Sequence, residues 1–238
     1  MKKTLTAIIL SLAAAATLSL GMAACGNPDD GTPAGATNGL EYTLSDDGTY
    51  YTLAGIGTAT ETEIIIPETY RDLPVTEIEA DAFRSNKDIT AVTIPASITT
   101  IGPAVFNDCS SLESVTFEGD ELDSLGNFAF INCTSLTEIA LPEGIPTIGT
   151  YTFSGCSNLT AITIPASVTS IEASAFTLCN RLATINYRGS RTQWAGIDIA
   201  DQNEALYEAN INYNSQIAPR NRKTNTLWRK NVQDLGPN

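Results

Sequence analysis

The middle of the sequence repeats itself at a fixed interval, and this period constrains the fold more than any other feature. The stretch Ile94–Thr116 recurs, with substitutions, both before and after itself. One phenylalanine marks each copy, at successive steps of 23, 24, 23 and 23 residues: Phe83, Phe106, Phe130, Phe153 and Phe176. Because a unit of this length cannot bury its own apolar side, neighbouring units must stack to form a core. The period therefore predicts a solenoid.

Four further apolar columns keep the same register. They are Ile78/Ile101/Leu125/Ile148/Ile171, Ile89/Leu112/Leu136/Leu159/Leu182, Val92/Val115/Ile139/Ile162/Ile185 and Ile94/Phe117/Leu141/Ile164/Tyr187. In the last two columns apolar residues alternate with outward positions, which predicts a short strand in each copy. The outward residues are small, polar or β-branched and suit a sheet face open to water or a partner. We take them as a candidate binding face: Thr93, Ser114, Thr116, Glu138, Thr163, Thr184 and Asn186.

The clearest copy of the repeat reads IPASVTSIEASAFTLCNRLATI, from Ile164 to Ile185. Its Ile-Pro step, its Ser-Val-Thr-Ser-Ile segment and its Ala-Phe-x-x-Cys-x-x-Leu segment resemble the BspA-type leucine-rich repeats of bacterial surface proteins. This resemblance implies a β-rich, right-handed leucine-rich repeat solenoid of about five coils of 23–24 residues over residues 63–187. The Ala-Phe-x-x-Cys segment on the far side is expected to be a short helix or 3₁₀ turn.

Residues 1–24 have the layout of a secretory signal, since two lysines precede an apolar run that ends in small residues. A permanent membrane span is the alternative, which the Ala, Thr and Ser content of the run disfavours. Met22–Cys25 resembles the cleavage box of bacterial lipoproteins, although leucine is usual where this chain has Met22. The resemblance implies a lipid on Cys25 and anchoring at the cell surface or the outer face of the membrane. An ordinary signal that leaves Cys25 free is the alternative.

The segments that flank the repeats have their own patterns. Residues 25–39 are dense in Gly, Pro, Asn and Asp and are predicted to form a flexible tether. Residues 40–62 alternate around Asp46-Asp47-Gly48, which predicts a β-hairpin that caps the first coil. Turn chemistry explains this Asp pair better than a cation site does.

The C-terminal flank divides into two parts. Residues 188–213 break the period but stay apolar, and we interpret them as a C-terminal cap in which Trp194 packs rather than stacks on a ligand. Residues 214–238 hold five basic residues against one acid and are predicted to be a disordered tail. The basic cluster has an alternative role in contacting anionic polymer or lipid headgroups.

Composition narrows the possible functions. The formal net charge is −14, and Lys87 is the only basic residue between Ser85 and Asn180, so nucleic acid is not an expected partner. The sequence contains no histidine, which removes Ser/His and Cys/His nucleophile pairs and most zinc sites. We therefore predict no catalytic residues, no metal site and no cofactor. The acidic patch at 120–123 is interpreted as a solvated loop rather than a calcium site.

Four of the five cysteines occupy one repeat column, where the first coil has Asn86: Cys109, Cys133, Cys156 and Cys179. A column position favours a small group that packs, so we predict four buried free thiols rather than a disulfide framework.

Two classes of function remain after these exclusions. The first is a surface-anchored, monomeric module that binds a protein or polysaccharide through one face of the solenoid, and the resemblance implies adhesion to host or bacterial surfaces. The second is a structural or accessory envelope lipoprotein that helps to capture nutrients, with no adhesive role.

Overall fold

A computed structural model describes residues 31–214. The predictions for the signal at 1–24, for the lipid on Cys25 and for the tail after Asn214 lie outside these residues.

The described chain folds almost entirely as short strands joined by turns. In chain order the elements are β1 (Glu41–Leu44), β2 (Tyr51–Gly55), β3 (Glu63–Ile65), β4 (Thr69–Tyr70), β5 (Leu73–Ile78), β6 (Ala91–Ile94), β7 (Thr100–Ile101), β8 (Ser114–Phe117), β9 (Ser124–Leu125), β10 (Glu138–Ala140), β11 (Thr147–Ile148), β12 (Ala161–Ile164), β13 (Ser170–Ile171), β14 (Thr184–Tyr187), α1 (Arg191–Trp194), β15 (Asp198–Ile199), α2 (Glu204–Glu208) and β16 (Asn210–Asn212).

The strands form two parallel columns, each with one strand from every coil. The first ladder contains β3, β6, β8, β10, β12, β14 and β16, and the second contains β2, β5, β7, β9, β11, β13 and β15. The register matches the repeat, since Val92 lies opposite Val115 and Ile162 lies opposite Ile185. The solenoid predicted from the period is therefore confirmed.

The described chain makes about seven coils rather than the five predicted. Segments assigned to the caps continue the ladders: β2 pairs with β5, β15 pairs with β13 and β16 pairs with β14. The period of the side chains ends near Tyr187, but the backbone pairing does not, because a ladder needs extended backbone and not a particular sequence. Ile199 and Ile211 still fall opposite Ile171 and Ile185.

Both ladders are interrupted at the same place. Within residues 31–214 no strand pairing joins β8 to β10 or β9 to β11, and a single bridge between Glu121 and Glu143 lies at this boundary. This coil is the one with the step of 24 residues, from Phe106 to Phe130. One extra residue in a ladder leaves groups unpaired and bends the chain locally, as in a β-bulge.

The core is a column of phenylalanine rings. Phe83, Phe106, Phe130, Phe153 and Phe176 are each at most 1% exposed. Successive rings are stacked, with centroids 5.2–5.4 Å apart and interplanar angles of 3–19°. Residue types that repeat in the sequence thus lie directly over one another in space, which makes the core continuous from coil to coil.

The Ala-Phe-x-x-Cys segments are turns, not the helices or 3₁₀ turns that were predicted. Alternate N–H groups donate to the next coil instead of to their own turn: Phe83 N–H bonds the Val105 carbonyl at 3.0 Å and Phe106 N–H bonds the Ala129 carbonyl at 2.8 Å. Two residues per turn have left-handed backbone with φ between 55° and 75°: Asp81, Ala104, Phe128, Tyr151 and Ser174, and then Ser85, Asp108, Asn132, Gly155 and Leu178. A helix would direct every N–H along its own axis, so it would lose these bonds between coils. We call residues 81–85, 104–108, 128–132, 151–155 and 174–178 the turn ridge.

The N-terminal end of the described chain is covered by a hairpin and by the segment that precedes it. β1 pairs antiparallel with β2, as predicted for this hairpin. Asp47 Oδ1 accepts hydrogen bonds from Ser45 and Thr49, which lowers the pKa of Asp47 and accounts for the Asp pair through turn chemistry. Within residues 31–39, assigned above to the tether, Thr37 is 5% exposed and exchanges two hydrogen bonds with the backbone of Ile65. This segment covers the outer edge of β3.

A buried amide closes the C-terminal end of the turn ridge. The next turn, at residues 201–203, bonds Ser174 N–H through the Asp201 carbonyl, whereas Phe176 N–H donates to the side-chain Oδ1 of Asn203 at 3.0 Å. Asn203 is 1% exposed, and its Nδ2 donates to the carbonyls of Glu172 and Ala200 at 2.9 Å. Its side chain thus takes the place of a backbone carbonyl in the seventh coil.

Candidate binding surfaces

All seven residues of the candidate binding face lie on the outward side of the first ladder. Thr93 lies opposite Thr116 on β6 and β8. In the C-terminal half Thr163 lies opposite Asn186. Ser114 and Glu138 are exposed and the other five are half-buried. The interruption of the ladder separates Thr93, Ser114 and Thr116 from Glu138, Thr163, Thr184 and Asn186.

The face extends one coil further than the repeat pattern indicated. Asn210 and Asn212 on β16 continue it, and Asn212 Nδ2 donates to Asn186 Oδ1 at 2.9 Å. Neither residue was identified from the sequence, because the apolar period has ended before them. The alternation around Ile211 was the available signal, since it repeats the alternation around Ile185.

The residues of the face identified so far are mostly neutral and polar, whereas β3 in the first coil presents Glu63 and Ile65, which is 44% exposed. Among the nine residues, Glu138 carries the only charge, and the rest are hydroxyls and amides. Hydroxyl and amide groups both donate and accept hydrogen bonds. The face can therefore contact polar groups of a protein or a carbohydrate without burying an ion.

The column cysteines are unreactive groups of the core. All four are free and buried, as predicted. Each thiol donates to the phenylalanine carbonyl of the preceding coil at 3.0–3.1 Å. Burial raises the pKa of the Cys109 thiol to about 11 and that of Cys179 to about 12. Thiolate, the nucleophilic form, is therefore scarce at neutral pH.

The part of the chain at 31–214 offers little else for chemistry. Among these residues no group of three or more Cys, Asp or Glu side chains is placed to hold a metal ion. A groove beside α2 has a volume of about 170 Å³, below the 300–1,000 Å³ usual for small-molecule sites. No helix within 31–214 has the length and apolar character needed to cross a membrane.

Two in-register parallel ladders over a buried phenylalanine column define a leucine-rich repeat β-solenoid. The family model described as BspA type leucine rich repeat region matches residues 76–196 in six copies. The chain belongs to this family, as its repeat predicts.

Solved structures of bacterial proteins resemble the chain. A leucine rich cell surface protein from Faecalibacterium prausnitzii is 35% identical with a TM-score of 0.61, over 68% of this chain and 41% of that protein. The T. pallidum leucine rich repeat protein is 29% identical with a TM-score of 0.58, over 65% of this chain and 70% of that one. The pneumococcal vaccine antigen PcpA, 16% identical with a TM-score of 0.52 over 76% of this chain and 47% of that one, shares the fold. No curated protein matches the chain significantly.

Proposed function

We propose that this protein is a lipid-anchored bacterial surface protein that binds a protein or glycan through the outward face of the first ladder. The observation that carries the proposal is the row of neutral hydroxyl and amide side chains held in register along that face. Membership of a family of bacterial surface leucine-rich repeats supports it, since such repeats generally bind protein partners and are typically not enzymes. The monomeric state and the absence of a nucleic-acid partner are part of the same proposal.

The binding face is tested by placing lysine side chains on it. Thr116→Lys combined with Thr163→Lys puts one long charged side chain on each half of the face. Thr43→Lys is the matched control, because Thr43 is exposed on the edge strand β1, away from the first ladder. The full chain and its variants are compared on protein and glycan arrays. We expect the double variant to lose at least about tenfold in affinity for the ligand, and Thr43→Lys to lose none. Equal binding by the double variant would place the site elsewhere.

The anchor is tested separately. Cys25→Ser removes the sulfur that would carry the lipid, so we expect the variant in the culture medium rather than in the membrane fraction. Cys109→Ser is the control, because it changes a buried thiol and leaves Cys25 in place. If Cys25→Ser fractionates with membranes as the parent does, the anchor is not a lipid on this residue.

A further inference from the structure

The turn ridge displays an aromatic pair that the repeat pattern does not require. Phe128 and Tyr151 are each 37% exposed and lie on adjacent coils. Their rings are stacked, with centroids 5.6 Å apart and an interplanar angle of 11°. The core ladder lies two residues further along, at Phe130 and Phe153, and is fully buried. The exposed pair is therefore distinct from the core.

The backbone at this pair is unfavourable for large side chains. Phe128 has φ 63° and Tyr151 has φ 56°, in the left-handed region where a β-carbon is disfavoured. The other coils have small or polar residues at this position, namely Asp81, Ala104, Ser174 and Gln202. Every turn of the ridge has this backbone, so the two aromatic side chains, and not the backbone, distinguish these two coils. Two adjacent aromatic rings at such positions indicate a binding surface.

The neighbouring coils leave the stack open at both ends. On one side the equivalent position is Ala104 and on the other it is Ser174, so no third ring continues the stack. The outer face of each ring is thus flanked by a small side chain. A ligand with a flat apolar face can pack there and prolong the ladder of rings.

The residues that directly precede the pair are uncharged. Asn127 and Thr150 directly precede the two aromatic residues, and Asn127 is exposed. The net charge of the protein is −14, and Lys87 is the only basic residue between Ser85 and Asn180. An anionic ligand would therefore be repelled, and no basic side chain in this stretch after Lys87 could bind it.

We propose that Phe128 and Tyr151 form a binding site for a neutral carbohydrate chain. One face of a pyranose ring presents C–H groups of slight positive charge, which pack on the negative face of an aromatic ring. Its hydroxyls require amide and hydroxyl partners, which Asn127 and Thr150 provide. The site lies on the turn ridge and is separate from the outward face of the first ladder.

The probes are neutral hexasaccharides of β-linked glucose, xylose and mannose, with polygalacturonate as the anionic comparison. The full chain in mild detergent is titrated calorimetrically. We expect at least one hexasaccharide to bind and polygalacturonate not to bind. Phe128→Ala combined with Tyr151→Ala should weaken the binding of the hexasaccharide at least about tenfold. Tyr151→Phe keeps the stack and should bind within about twofold of the parent.

Two controls distinguish the aromatic pair from the rest of the solenoid surface. Leu178 is another ridge residue with left-handed backbone; it is 61% exposed and lies outside the stack. The Leu178→Ala variant should therefore bind the hexasaccharide as the parent does. Thr116→Lys with Thr163→Lys should also keep sugar binding, which distinguishes this site from the first-ladder face. Circular dichroism melting confirms that each variant is folded. The proposal is overturned if no neutral hexasaccharide binds, or if a folded double alanine variant binds like the parent.

Discussion

At the scale of single residues, stability comes from identical side chains that lie in register. Each central phenylalanine contacts one ring above it and one below it, and none of the five is exposed to water. The carbonyl of the same phenylalanine accepts a hydrogen bond from the cysteine thiol of the next coil. A ring and a thiol in each coil thus join it to its neighbours through both packing and polar contacts.

Phe130→Ala is expected to lower the free energy of unfolding by about 3–5 kcal/mol, because it leaves a cavity between two stacked rings. Phe128→Ala is the matched control, since Phe128 is two residues away, is 37% exposed and should cost less than about 1.5 kcal/mol. Urea denaturation followed by circular dichroism measures both. Equal losses in the two variants would contradict a core built on the buried column.

Residue identities in the core could be predicted from the sequence, whereas Asn203 could not. Phenylalanines that recur at a constant period occupy equivalent positions in successive coils, so their burial follows from the repeat. Asn203 occurs once, and its role depends on its side chain, not a backbone carbonyl, accepting the bond from Phe176 N–H in the last turn. Asn203 lies beyond the last periodic repeat, so the repeat pattern gives no signal for it. The same applies to Asn210 and Asn212 on the candidate face.

At the scale of elements, the turns show why local sequence was insufficient. Helix or 3₁₀ geometry was predicted from their length, but alternate N–H groups bond the adjacent coil. Left-handed backbone is needed for this at Phe128 and Tyr151, residue types that disfavour it. Hydrogen bonds between coils therefore override the local backbone preference of these residues. The sequence of one repeat does not indicate those bonds, because they form only with the adjacent coil.

Three central coils have glycine at one repeat position where the backbones approach closely, while the flanking coils have Glu79 and Glu172 there. Gly102, Gly126 and Gly149 recur at repeat steps, and a β-carbon on Gly126 would lie 2.4 Å from the backbone of Gly102 and Pro103. Gly126→Ala is expected to destabilise the fold by about 1–3 kcal/mol, since backbone must move to admit the methyl group. Gly196→Ala is the control, because its nearest atom would be 3.4 Å away. Thermal melting compares the two variants. Similar melting temperatures would show that the glycine at position 126 is not needed for the close approach of the coils.

At the scale of the whole described solenoid, the two ladders are divided while the core is continuous. β10 pairs only with β12 and β11 only with β13, although the phenylalanine column crosses the boundary without a gap. The sequence signal for this division was the single step of 24 residues. Its consequence for hydrogen bonding depends on how the chain accommodates the extra residue, which the period does not specify.

Hydrogen exchange should detect the divided ladders. We expect backbone amides of β10 and β11 to exchange at least about tenfold faster than those of β12 and β13, because each of the former strands is paired on one side only. β11 and β13 are both two residues long, β10 and β12 have three and four residues, and the strands of each pair hold the same position within the coil. Equal protection measured by NMR across all four strands would contradict this.

The direction of the hydrogen bonds also determines how the molecule responds to a mechanical load. Ladder bonds run parallel to the stacking direction and join each coil only to its neighbours. A pull applied at Gly31 therefore strains the bonds of the first coil before those of any other. Coils would peel away one after another under modest tension, and the remaining coils would keep their packing. A solenoid pulled from this end yields gradually, instead of rupturing in one event.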